Sequence, residues 1–132
     1  MFTYHHKVNY YECDRMGITH HSNYVRFMEE ARIAWLDHIG MGFDRMEAEG
    51  YESPVIGISC QYRHSTTFPD DIEVEVRVKE VSSVKFSIEY KMRCNGELCC
   101  TGTSTHCFTV KGRPVVMERS LPDLYEALKA SL

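Results

Sequence analysis

A chain of 132 residues has the size of one domain with its own core. Hydrophobic residues at 43% and charged residues at 26% give the balance of a soluble globular protein and exclude intrinsic disorder. The net charge of −4 argues against nucleic acid as partner, because phosphate backbones select basic faces, and no apolar run reaches the ~20 residues that span a membrane.

The N-terminal Met1-Phe2-Thr3-Tyr4-His5-His6-Lys7 lacks the apolar core of a signal peptide, so a cytoplasmic location is expected. The six cysteines agree with it. Cys13, Cys60, Cys94, Cys99, Cys100 and Cys107 contain no C-x₂-C spacing, which argues against a zinc site. In a reducing compartment they read as small buried hydrophobes.

Along the chain, Tyr4 to Glu12 reads as a strand from its β-branched and aromatic residues. Cys13 to His21 forms a loop pivoting on Gly17. Ser22 or Asn23 caps a helix that runs to about His38 and stops at Gly40. In that helix Tyr24, Phe27, Met28, Ala31, Ala34, Trp35 and Leu36 recur at spacings of three and four, and Val25, Ile33 and Ile39 widen the stripe. A stripe this broad predicts cover on most of the circumference, as from a sheet wrapped around the helix.

A connection from Met41 to Glu52 leads to an apolar strand, Pro54 to Tyr62. Ile72 to Lys79 alternates strictly, the mark of a strand with one buried and one wet face. Val84 to Arg93 follows, then Asn95-Gly96, a strong two-residue hairpin signal. Leu98 to Val110 is the returning strand, Lys111-Gly112-Arg113-Pro114 a turn, and Leu121 to Leu132 a helix with Pro122 in its first turn. The order β-α-β-β-β-β predicts an α+β fold with a mainly antiparallel sheet, one domain over residues 1–132.

The chemistry concentrates between Asp14 and Tyr24. A carboxylate ends the first strand, Gly17 follows three residues on, and His20 and His21 precede the helix. Free N–H groups of a first helical turn, with the positive end of its dipole, favour a developing negative charge. A carbonyl oxygen bound there would be polarised as in an oxyanion hole. Asp14 nearby could attack the carbonyl carbon or activate a water. The residues therefore point to acyl transfer or to proton abstraction beside a carbonyl. The plainer alternative is an aspartate that forms a turn and histidines that decorate a surface.

Asp14-x-x-Gly17-Ile18-x-x-His21-x-Asn23-Tyr24, followed by Phe27-x-Glu29-Glu30-Ala31-Arg32, resembles the signature of hot-dog-fold acyl-CoA thioesterases. The resemblance is greatest to the 4-hydroxybenzoyl-CoA thioesterase-like branch that includes the YbgC-type enzymes. Phe68-x-Asp70-Asp71-Ile72, Thr105-His106-x-Phe108 and Gly112-Arg113-Pro114 extend it over most of the chain. The resemblance implies a sheet wrapped around one long central helix. It implies Asp14 as catalytic carboxylate and the His21 N–H as the donor that polarises the carbonyl. Gly17, Asn23 and Tyr24 would shape the substrate site, and Glu29 and Glu30 would stay outside the chemistry. It further implies an acyl-CoA substrate, no metal or redox cofactor, and a homodimer or homotetramer formed by edge-to-edge pairing of sheets.

This chain departs from the pattern at two places. It has Glu12 where many relatives carry a second aspartate, an acidic neighbour with a longer reach. It has Ser82-Ser83-Val84 where some carry cations for the CoA phosphates, leaving Arg63, His64, Lys85, Lys111 and Arg113 as candidates. Met16, Met28, Tyr51, Val55, Ile56 and Phe68 are candidates for an apolar pocket, with core packing as the alternative. Two rival functions share the fold: a hydratase or dehydratase acting on acyl chains, and a noncatalytic acyl-CoA-binding module.

Overall fold

The alternating strands fold as the pattern requires. A computed structural model describes residues 1–132. The strands are β1 (Phe2–Lys7), β2 (Val55–Tyr62), β3 (Asp71–Val81), β4 (Lys85–Cys94) and β5 (Glu97–Cys107). They form one antiparallel sheet in the order β1-β3-β4-β5-β2, so β1 and β2 are its edges. β3 buries Ile72, Val74, Val76 and Val78, and β4 buries Phe86, Ile88, Tyr90 and Met92. These residues make the inner face. A ladder of two short strands, β6 (Thr109–Val110) and β7 (Arg113–Pro114), follows. The Asn95-Gly96 turn has both residues at positive φ, as a two-residue hairpin demands.

Helix α1 (Ser22–His38) lies against that inner face with Tyr24, Phe27, Met28, Ala31, Trp35 and Leu36 buried. Gly40 ends it at φ +81°, and the Met41 N–H returns to the Leu36 carbonyl, which closes a Schellman motif. Truncating a fully buried side chain such as Phe27 to alanine costs about 3–5 kcal/mol. Close approach of helix and sheet depends on Gly102 of β5. A Cβ there would stand 2.9 Å from both Met28 Sδ and the Ser59 carbonyl oxygen.

Four expectations are corrected. The first strand ends at Lys7, because the Val8 N–H turns to the Asp70 carbonyl and Asn9 opens a 3₁₀ turn over Tyr10–Glu12. Tyr10 and Tyr11 are exposed. The cover of α1 is narrower than the stripe predicts: Val25 and Ile33 are 38% and 41% exposed. The segment after α1 contains a short helix, α2 (Phe43–Ala48). The last long strand breaks at Phe108. The C-terminal helix is present as α4 (Pro122–Ala130), preceded by one further short helix, α3 (Met117–Ser120). All six cysteines are free thiols, with Cys13 and Cys60 only partly buried. No helix is long and apolar enough to cross a membrane.

One polar chain runs through the core. His106 Nε2 lies 2.7 Å from Ser104 Oγ, which lies 2.7 Å from the Tyr90 hydroxyl, and Arg32 reaches that hydroxyl at 3.4 Å. Burial, and secondarily the Arg32 charge, pushes the His106 imidazole down to about 3. Between that value and the ~6.5 of an unfolded chain, only the unfolded state binds the proton. Stability from this residue is therefore complete above about pH 6.5 and falls as the pH drops, by up to about 1.4 kcal/mol per pH unit. Thermal midpoints of the native protein should fall between about pH 7 and pH 5, and fall less in His106→Gln. Equal slopes in the two proteins would contradict this account.

Candidate functional site

The turn that carries Asp14 is tight because Cys13 and Thr19 pair as an isolated antiparallel bridge. The Asp14 N–H binds the Ile18 carbonyl, and the Gly17 N–H binds the Asp14 carbonyl at 3.0 Å. Gly17 takes φ +81°, a conformation that suits glycine. Asp14 Oδ1 accepts the Met16 N–H at 2.8 Å, which orients the carboxylate from within the turn.

Helix α1 begins differently from the cap expected of Ser22 or Asn23. Ser22 is the first helical residue, and its N–H donates to His20 Nδ1 at 3.2 Å while its hydroxyl lies 2.8 Å from the same nitrogen. His20 thus does the work of a cap. The Asn23 N–H donates to the His20 carbonyl and the Tyr24 N–H to the His21 carbonyl. The N–H of His21 has no protein acceptor. It is the donor left over where the helix begins.

Asn23 and Tyr24 brace this corner. Asn23 Nδ2 donates to the Glu12 carbonyl at 2.8 Å. The Tyr24 hydroxyl lies 2.8 Å from Thr66 Oγ1, which lies 2.7 Å from Thr19 Oγ1. Burial raises the Tyr24 pKa above its ordinary value, so the phenol remains a neutral hydrogen-bonding group.

Asp14 and His21 line one cavity of about 440 Å³, together with Met16, Ile18, Thr19, Tyr24, Tyr62, Arg63, His64 and Ser65. Other hollows are as large, near Trp35 and His38, beside Tyr51, and between α1 and α2. None of those is lined by a histidine together with a carboxylate. Gly17 is not in the cavity wall; it shapes the turn. Of the cations considered from sequence, Arg63 and His64 reach the wall, while Lys85, Lys111 and Arg113 do not. Of the apolar candidates, Met16 lines the cavity; Met28 belongs to the core, and Val55, Ile56 and Phe68 are exposed elsewhere. Tyr51 donates its hydroxyl to the Ser120 carbonyl.

Two expectations about acidic residues change. Glu12 is buried and faces His6 at 2.8 Å, so it does not act as a second carboxylate in the cavity. Glu30 lies 3.1 Å from the other ring nitrogen of His6, and Glu29 is exposed.

Tyr62 is the residue that sequence reading missed. Its hydroxyl donates to the His21 carbonyl at 3.2 Å, and its ring meets the edges of His21 and Tyr24. It ends an apolar run, and only the pairing of β2 with β5, Tyr62 opposite Cys100, brings it over the start of α1. Cys60 lies two residues earlier on the same face, where a hydrogen bond from Cys100 lowers its thiol to about 7. It contacts Met28 Sδ rather than the cavity.

Residues 8–128 match the thioesterase-like superfamily, and the chain belongs to it. It is 30% identical to a candidate esterase of Aquifex aeolicus (strain VF5), over 97% of this chain and 98% of that protein. It is 30% identical to the candidate acyl-CoA thioesterase YneP of Bacillus subtilis (strain 168), over 92% and 90% of the two chains. Among solved structures, a DHNA-CoA thioesterase from Staphylococcus aureus superposes with a TM-score of 0.93 at 27% identity, covering 97% of this chain and 88% of that one. The fold is the hot-dog fold and the protein is a thioesterase.

Proposed function

We propose that the enzyme hydrolyses acyl-CoA thioesters to a carboxylic acid and free CoA. The observation that carries this reading is that Asp14 and His21 line one cavity, while the His21 N–H at the start of α1 is left without a protein acceptor. A thioester oxygen bound at that N–H gains a donor aimed where negative charge develops, reinforced by the helix dipole. Asp14 then either attacks the carbonyl carbon, giving an anhydride that water cleaves, or takes a proton from the attacking water. In both routes the acyl carbon gains an oxygen and the sulfur leaves as a thiolate that takes up a proton. The chemistry uses no metal or redox cofactor. Asn23, Tyr24 and Gly17 hold the shape of the site.

Arg63 and His64, on the chain leaving β2, are the cavity residues suited to the phosphates of CoA. A second copy of the chain completes the protein in this reading. β2 is a free edge, and Ile56 and Ile58, on its α1 side, are 48% and 46% exposed. Pairing two such edges covers both features.

Four outcomes are expected. Asp14→Asn should lower kcat for thiol release by about 10²- to 10⁴-fold while circular dichroism stays native; near-normal turnover would remove the mechanism. Release of thiol from a saturated acyl-CoA separates hydrolysis from hydration, which needs an unsaturated chain, and from simple binding. Arg63→Ala should raise KM for an acyl-CoA about tenfold and leave the matching pantetheine ester, which lacks the nucleotide phosphates, unaffected. An equal effect on both esters would take Arg63 out of phosphate recognition. Sedimentation should give a dimer or larger species for the native chain and a smaller one for Ile58→Lys; a native monomer would refute the pairing.

A further inference from the structure

The cluster of His6, Glu12 and Glu30 is used by none of the chemistry above. His6 of β1 packs on Phe27 with the rings tilted by 31° and their centroids 4.1 Å apart, and it is 8% exposed. Its Nε2 lies 2.8 Å from Glu12 Oε1 and its Nδ1 lies 3.1 Å from Glu30 Oε2. Glu12 Oε1 also accepts the Asn9 N–H at 2.7 Å and Asn9 Nδ2 at 3.3 Å. One imidazole therefore joins three elements: the edge strand, the turn before Asp14 and the middle of α1.

Burying a carboxylate and an imidazole this deeply costs desolvation that an apolar pair would avoid. What the polar pair adds is position. The side chain of Glu12 anchors a residue whose own carbonyl oxygen accepts two hydrogen bonds, from the His20 N–H at 2.8 Å and from Asn23 Nδ2 at 2.8 Å. Asp14 is two residues after that carbonyl in the chain. The His21 N–H is one residue after the donor His20. The single oxygen of Glu12 thus ties the segment that leads into Asp14 to the turn that carries the free N–H.

On the basis of the hydrolysis proposed above, we infer that Glu12 and His6 are positioning residues, which set the separation of Asp14 from the His21 N–H through the Glu12 carbonyl. They do not touch substrate. Because misplacement of reacting groups by about 1 Å can cost a hundredfold in rate, a loosened clamp acts on kcat. KM, set by the cavity wall, changes little.

The test uses the full chain and the isosteric Glu12→Gln, with His6→Gln as a second variant that can engage only one of the two carboxylates. Circular dichroism and thermal midpoints establish that each is folded at the assay temperature. Each variant is expected to lower kcat about tenfold to a hundredfold with KM within about twofold. Adding Glu12→Gln to Asp14→Asn should change the residual rate less than about twofold, because the group being positioned is already lost. A second readout needs no activity: exchange of the His20 amide hydrogen should quicken by about tenfold or more in Glu12→Gln. Unchanged kcat, an equal loss in both Asp14 backgrounds, or an unchanged His20 amide would each overturn the inference. Absence of thiol release by the native chain would instead overturn the hydrolysis, and the exchange measurement would still decide whether the clamp holds the turn.

Discussion

Asn23 gives its side-chain amide, and His20 its backbone N–H, to the same carbonyl oxygen of Glu12. Everything at the start of α1 is referred to that point. A helix beginning free in solvent would use a serine or asparagine cap and leave its first turn to find its own place. Here Ser22 and Asn23 are spent otherwise: Ser22 on the His20 ring and Asn23 on the turn before Asp14. The consequence is a first turn whose other early N–H groups are taken, with that of His21 left over. His21 and Asp14 both line one cavity.

The sheet makes this arrangement rigid rather than accidental. α1 is held along one face by Phe27, Met28, Ala31 and Trp35 against valines and aromatics of β3 and β4. Tyr24 and Tyr62 join the helix start to Thr66 and to the end of β2. The side of β2 that looks toward α1 is only partly covered by this chain. The cavity that Asp14 lines includes Tyr62, at the end of that same strand.

Much of this was legible in the amino-acid order. Strict alternation from Ile72 to Lys79, the Asn95-Gly96 pair and the three-four spacing from Tyr24 to Leu36 each state a local geometry, and each element is present. The motif from Asp14 to Tyr24 placed the two groups that share the cavity. Its reading failed where distant segments decide. Val8, Tyr10 and Tyr11 have strand-like side chains, but the backbone there is claimed by Asp70 and by the Asn9–Glu12 turn. Glu12 read as a carboxylate near Asp14, because nothing local reveals that His6 turns it inward. Tyr62 and Thr66 are more than forty residues from Asp14, and their part in the site exists only once β2 pairs with β5.

Gly102 carries a last implication. With 2.9 Å between its hydrogen-only position and both Met28 Sδ and the Ser59 oxygen, the height of the central rod above the floor is set by a missing methyl group. The two facing positions are matched in size as a bolt is to its hole. A larger residue at the glycine would meet main chain as well as the methionine, so trimming Met28 alone would not admit it.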